Sequence, residues 1–130
     1  MTDAAKVAIL LVDDEAPIRS TVRRALERWG YAVHAADSLA AAEAIWRAEH
    51  SRIGALVTDV LLGEENGAAF AIRLRRDRPD LPVVIVSGYT GTALATAGTF
   101  PADAHFLEKP FALPDLRETL RTAIAGTPPP

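Results

Sequence analysis

Leu56-Val57-Thr58-Asp59 is a short apolar run that stops abruptly on a carboxylate, and a loop closing at Asn66-Gly67 follows it. A parallel strand covered on both faces is near-continuously apolar. Ligands of open α/β sheets bind beyond the carboxyl ends of such strands. Asp59 therefore stands where a reactive acid would. An aspartate at a strand end is also an ordinary turn former or helix cap, so its meaning depends on what the other strand ends carry.

Upstream, residues 7–12 (Val-Ala-Ile-Leu-Leu-Val) are wholly apolar and end on Asp13-Asp14-Glu15, which predicts a first buried strand. Pro17 suits a first helical turn, where its missing N–H costs nothing. Ile18, Val22, Ala25, Leu26 and Trp29 share one helical face, and Gly30 terminates it. Residues 31–35 read as a second strand. Ser38 then caps a helix with Leu39, Ala42, Ile45 and Trp46 at helical spacing. The third strand covers 53–58, with Asp59 at its tip.

Downstream of the 63–67 loop, Phe70, Ala71 and Leu74 mark a third helix. Its Arg73, Arg75, Arg76 and Arg78 are expected on the solvated side. Residues 82–86 form a fourth buried strand ending on Ser87-Gly88, and 90–98 a weak helix of small residues with one leucine. A fifth strand over 104–107 leads into Glu108-Lys109-Pro110-Phe111. Leu113, Leu116, Leu120 and Ile124 make a final amphipathic helix, and 126–130 a flexible tail.

Strands alternating with helices give a parallel sheet, and right-handed crossovers put helices on both faces. The expected fold is α/β, a flavodoxin-like doubly wound (βα)5 with a five-stranded parallel sheet in the order 2-1-3-4-5. Its 130 residues make one domain, 1–130, with its core over 7–125. Composition is that of a soluble globular chain, 49% hydrophobic and 24% charged. A net charge of -3 gives nucleic acid no reason to approach. The chain has no cysteine, hence neither disulfide nor thiolate metal site. No apolar run approaches the ~18–20 residues that cross a bilayer, and 1–6 lacks a signal-peptide core. A cytoplasmic protein is expected.

In the order 2-1-3-4-5, strands one and three are neighbours, so Asp13, Asp14 and Asp59 converge. Carboxylates at close quarters repel, and each resists ionisation unless a cation compensates. Mg²⁺ suits such a site: it takes a few carboxylates and keeps water and phosphate as its other ligands. Strand four delivers the Ser87 hydroxyl and strand five the compact Lys109 cation. Acids, a metal, a hydroxyl and a lysine around one carboxylate form a phosphoryl-transfer site. Singly, each has an ordinary role as cap, turn hydroxyl or surface lysine; their succession at consecutive strand ends carries the functional reading. His34, His50 and His105 lack metal-ligand spacing and are not needed.

From about residue 7 to 124, the chain resembles the receiver domain of bacterial two-component response regulators. The resemblance rests on Asp13-Asp14, Asp59, Ser87-Gly88 and Lys109-Pro110-Phe111 at the four strand ends. It implies that Asp59 is the phosphoacceptor. It implies a Mg²⁺ held by Asp14, Asp59 and the Leu61 backbone carbonyl, with Asp13 acting through water. Ser87 and Lys109 would engage the phosphoryl oxygens, Ser87 and Phe106 would form a switch, and the Lys109-Pro110 bond would be cis. The donor would be a histidine kinase or a histidine phosphotransfer protein. Output would go to a protein partner at the fourth helix, fifth strand and fifth helix, with no nucleic acid and no membrane involved. A receiver of this kind is a monomer or weak dimer and no enzyme beyond assisting its own phosphorylation and dephosphorylation. No DNA-binding segment follows the last helix, so a stand-alone regulator or a receiver excised from a longer chain, such as a hybrid sensor kinase, is expected.

Two departures stand out, and one further pair of positions bears on the lifetime of the modified state. Gly63 occupies a position where receivers often have proline and is followed by Glu64-Glu65, which predicts a looser, more acidic loop. Phe106 stands where tyrosine is also common, so no hydroxyl anchors it. Leu61 and Tyr89 flank the expected path of attacking water and predict a long-lived phosphoryl group.

Rival readings fare worse. A small aspartyl-phosphate phosphohydrolase spaces its two aspartates by one residue, whereas Asp13 and Asp14 are adjacent. A dinucleotide-binding domain needs a glycine-rich turn where Asp13-Asp14-Glu15 stands. A receiver-like interaction module without phosphorylation is opposed by the intact acids, Ser87 and Lys109.

Overall fold

The wholly apolar runs form the centre of the fold. In the computed structural model, which describes residues 6–88, 100–101 and 103–126, β1 (Ala8–Val12) is buried along its whole length. It is followed by α1 (Ala16–Arg28), β2 (Ala32–Ala36), α2 (Leu39–Glu49) and β3 (Ile53–Asp59). Two short strands, β4 (Leu61–Leu62) and β5 (Glu65–Asn66), precede α3 (Gly67–Asp77) and β6 (Val83–Ser87). β7 (His105–Glu108) and the last helix, here α4 (Leu113–Ala125), complete the described elements.

The main sheet has five strands in the order β2-β1-β3-β6-β7. Every pairing in it is parallel. With the β4-β5 ribbon set aside, this is the expected 2-1-3-4-5 order. Alternate residues feed two cores. Leu10, Val12, Leu56 and Ile85 pack beneath α2 and α3 with Trp46, Phe70 and Leu74. Ile9, Leu11, Val57 and Val84 pack beneath α1 and α4 with Leu26, Leu116 and Leu120. A sheet sealed on both faces leaves only its ends for polar chemistry.

Local signals set the boundaries. The Ser38 hydroxyl accepts a hydrogen bond from the Ala41 N–H at 3.1 Å, capping α2. Gly30, at φ +99°, turns the chain out of α1 and into β2. Strands two, four and five each sit one residue later than the apolar runs suggest, because the ladders continue onto the polar strand ends. Ser87, for example, pairs with Glu108.

The arginines of α3 depart from expectation. Arg75 Nε donates to the Leu81 carbonyl at 2.6 Å, and its guanidinium pairs with Asp103. Arg78 donates to the carbonyls of His50 and Ile53, and Arg73 pairs with Glu43 of α2. Of the four, Arg76 is the exposed one with no partner among the described residues. Planar guanidinium forks suit such carbonyl and carboxylate partners. The 61–66 segment is likewise an antiparallel hairpin, not a loose loop, with Gly63 at φ +64° in its turn. The expected helix over 90–98 and residues 127–130 of the tail lie outside the described residues. Among the described residues, no helix is long and apolar enough to cross a membrane.

Candidate functional site

Register brings the acids together. Val12 pairs with Thr58 across β1 and β3, so the next residues, Asp13 and Asp59, emerge side by side at the sheet's carboxyl end. Both are buried, at 5% exposure each. Asp13 is fixed by its backbone: its N–H donates to the Ala36 carbonyl at 3.1 Å, and its own carbonyl accepts from Arg19 at 2.9 Å. Asp14 and Glu15 stand at the exposed rim.

Lys109 arrives from the far strand. Its N–H donates to the Ser87 carbonyl at 2.8 Å, which carries the ladder past the end of β7. The side chain then runs inward, buried, until Nζ lies 3.1 Å from both carboxylate oxygens of Asp59. Nζ is also 3.0 Å from Glu15 and 3.4 Å from Asp13. The Lys109-Pro110 peptide is cis, as expected.

The segment after β3 is shaped to bring backbone close to Asp59. The Asn66 side chain accepts from the N–H groups of Ala68 and Ala69, capping α3. Gly67 then lies against the strand end: a Cβ there would sit 1.8 Å from the Asp59 carbonyl oxygen. Only glycine fits this approach. In the hairpin, the Gly63 N–H donates to Asp14 Oδ2 at 3.1 Å, tying the turn to the acid rim. Asp14, Glu15, Asp59, Leu61, Gly63 and Lys109, with Val86 and Gly88, line a cleft of about 370 Å³.

All four acids of the cluster (Asp13, Asp14, Glu15 and Asp59) offer oxygens within 4.8 Å of one another. Residues 9–121 match the family model for the response regulator receiver domain. The chain belongs to that family.

Similarity to known receivers extends over most of this chain. It is 38% identical over 115 residues to the sensor kinase CckA of Brucella abortus, covering 87% of this chain but 12% of that protein. It is 35% identical over 118 residues to the DNA-binding transcriptional regulator NtrC of Rhizobium meliloti, covering 90% of this chain and 24% of that one. The chain thus spans a minor part of both relatives. A response regulator receiver protein from Sinorhizobium medicae has the same fold, with a TM-score of 0.81 and 30% identity over 92% of this chain and 95% of that one.

In this receiver the electrostatics are lopsided. Burial, and after it the neighbouring Asp13 carboxylate, push the Asp59 carboxyl up to about 8, although Lys109 pulls the other way. Burial also works against the Lys109 charge. Attraction to Asp59, the hydrogen bond to Glu15 and attraction to Asp13 outweigh it, and Lys109 is held above the usual lysine range. Four carboxylates against one ammonium leave a net negative pocket with hard oxygen donors. That donor set fits a small divalent cation.

The expected site residues come together unequally. Asp13, Asp59 and Lys109 are in direct contact, Asp14 is tied to the hairpin, and Leu61 lines the cleft. Ser87 is buried one residue beyond Val86, the partner of Asp59, and its neighbours line the cleft in its place. Phe106 is 46% exposed and meets Phe100 edge-on at 5.2 Å. Tyr89 lies outside the described residues. Glu15, Gly67 and the Gly63 N–H were not expected in these roles. The Asn-Gly step just before an apolar helical pattern was the available signal for the second.

Proposed function

We propose that Asp59 is the phosphoacceptor of this receiver. The observation carrying this reading is a buried Asp59 carboxylate beside Asp13, with the Lys109 ammonium 3.1 Å away. An Asp59 oxygen attacks phosphorus in line while the P–N bond to a donor phosphohistidine breaks, its electron pair returning to the imidazole. Transfer of this kind needs positioning and neutralised equatorial oxygens more than acid–base groups. Lys109 supplies a fixed positive charge, and Ser87 offers a hydroxyl to a phosphoryl oxygen. Asp14, Asp59 and the Leu61 carbonyl would hold Mg²⁺, with Asp13 reaching it through water. When bound, the ion offsets charge on the carboxylates and the phosphoryl oxygens.

A histidine kinase or histidine phosphotransfer protein serves as donor, a protein partner as output, and the setting is cytoplasmic. Residues 1–130 act as one receiver domain, monomeric or weakly dimeric. The outward Phe106 fits the unphosphorylated setting of a switch in which Ser87 moves and the ring turns inward. The test is incubation with acetyl phosphate and Mg²⁺ followed by intact mass. One phosphoryl group should add to the wild-type chain and none to Asp59→Asn; equal labelling of both overturns the assignment.

A further inference from the structure

Glu15 occupies the N-cap position of α1, where a short side chain normally accepts a hydrogen bond from the first helical turn. It makes no such cap. Its carboxylate turns instead to Lys109, 3.0 Å away, and half of the side chain remains in solvent. An ammonium has three N–H donors. Here they face three carboxylates, those of Asp13, Glu15 and Asp59.

On the reading that Asp59 takes the phosphoryl group, Lys109 must donate to a phosphoryl oxygen and give up one of these partners. Asp59 itself becomes the phosphoryl carrier, so the exchange falls on Asp13 or Glu15, and these two differ in what release costs. The Asp13 side chain is 7% exposed, and stripping its cation would leave a buried charge uncompensated. Glu15 is half in water and regains hydration when released. We infer that Glu15 is a positioning residue that tethers Lys109 in the unphosphorylated protein and is the partner exchanged for a phosphoryl oxygen. Glu15 then competes with the phosphoryl group, and its removal favours the modified state. No other acid at the rim contacts Lys109 among the described residues.

The experiment measures beryllofluoride binding, as a phosphoryl mimic, by calorimetry in Mg²⁺ on wild type, Glu15→Gln and Glu64→Gln. Glu64 is an exposed acid of the hairpin turn and removes the same charge without touching Lys109. Glu15→Gln should tighten binding about fivefold, the scale of a half-exposed ion pair, while Glu64→Gln changes it little. A second readout uses metal-free protein: the Lys109 ammonium protons should exchange with water several-fold faster in Glu15→Gln, seen by ¹⁵N NMR. Unchanged or weaker binding in Glu15→Gln overturns the inference, as does equal tightening in both variants, which would mean simple charge repulsion. Wild-type protein that binds no beryllofluoride would instead overturn the phosphoacceptor reading itself.

Discussion

Two charged clusters, one at the carboxyl end of the sheet and one between α2 and α3, set acids against basic side chains to opposite effect. Between the helices, Glu43 accepts from Arg47 and Arg73, and Asp77 accepts from the Trp46 indole at 2.8 Å. The charges there balance, and Arg47 and Arg73 keep much more contact with solvent, with side-chain exposures of 77% and 42%. At the sheet end, Asp13, Asp59 and Lys109 are each 7% exposed at the side chain, and acids outnumber the cation. The first cluster stitches helices together at modest gain. The second keeps acids in excess of its one lysine, a repulsion that Lys109 relieves only in part.

Breaking the geometry beneath Asp59 should have the largest effect. Gly67→Ala forces its methyl against the Asp59 carbonyl, so the strand end or the α3 N-terminus must shift. A loss of about 3 kcal/mol is expected from such overpacking, with labelling by acetyl phosphate slowed at least in proportion to the displaced carboxylate. Denaturant unfolding alongside labelling rates measures both.

Removing the acid itself sharpens the contrast. The folded Asp59 titrates near 8, above its ordinary 3.8. The fold therefore favours the protonated form. The resulting penalty is absent below about pH 4, grows as pH rises towards 8, and is fully present above it. Asp59→Asn should accordingly raise the metal-free melting temperature by an amount that increases over this window. A gain on the order of 2 kcal/mol at pH 8.5 is expected, since losing one Lys109 contact offsets part of the relief. Mg²⁺ should stabilise wild type more than the variant, and chelation should restore the difference. Melts at pH 4, 6 and 8.5, with Mg²⁺ and with chelator, check this.

The helix-pair cluster should give the smallest response. Glu43→Gln removes two partly exposed ion pairs and should cost no more than about 1 kcal/mol. Its cost should be insensitive to Mg²⁺, and acetyl phosphate labelling should match wild type. A labelling defect would mean the two clusters are coupled.

The fold was legible because β1, β3 and β6 are apolar without interruption, and such runs bounded by acids and glycines leave few alternatives. Asp13, Asp59 and Lys109 were legible because parallel order alone aligns their strand ends. The role of Glu15 was hidden, since an acid before Pro17 reads as a helix cap and its turn to Lys109 depends on a strand nearly a hundred residues away. Gly67 reads as half of an Asn-Gly turn; its necessity emerges only from the approach of α3 to the Asp59 carbonyl. Arg75 and Arg78 read as solvated because they donate to backbone carbonyls, which leave no trace in sequence pattern, and Arg73 because its partner Glu43 lies thirty residues away on another helix.

The most direct test of the central claim locates the phosphoryl group. Protein labelled with acetyl phosphate and Mg²⁺ is reduced with borohydride, which converts an aspartyl phosphate to homoserine, and digested for tandem mass spectrometry. Homoserine at position 59 alone is the expected result. Conversion at Asp13 or Asp14, or labelled protein with residue 59 intact, would contradict the account.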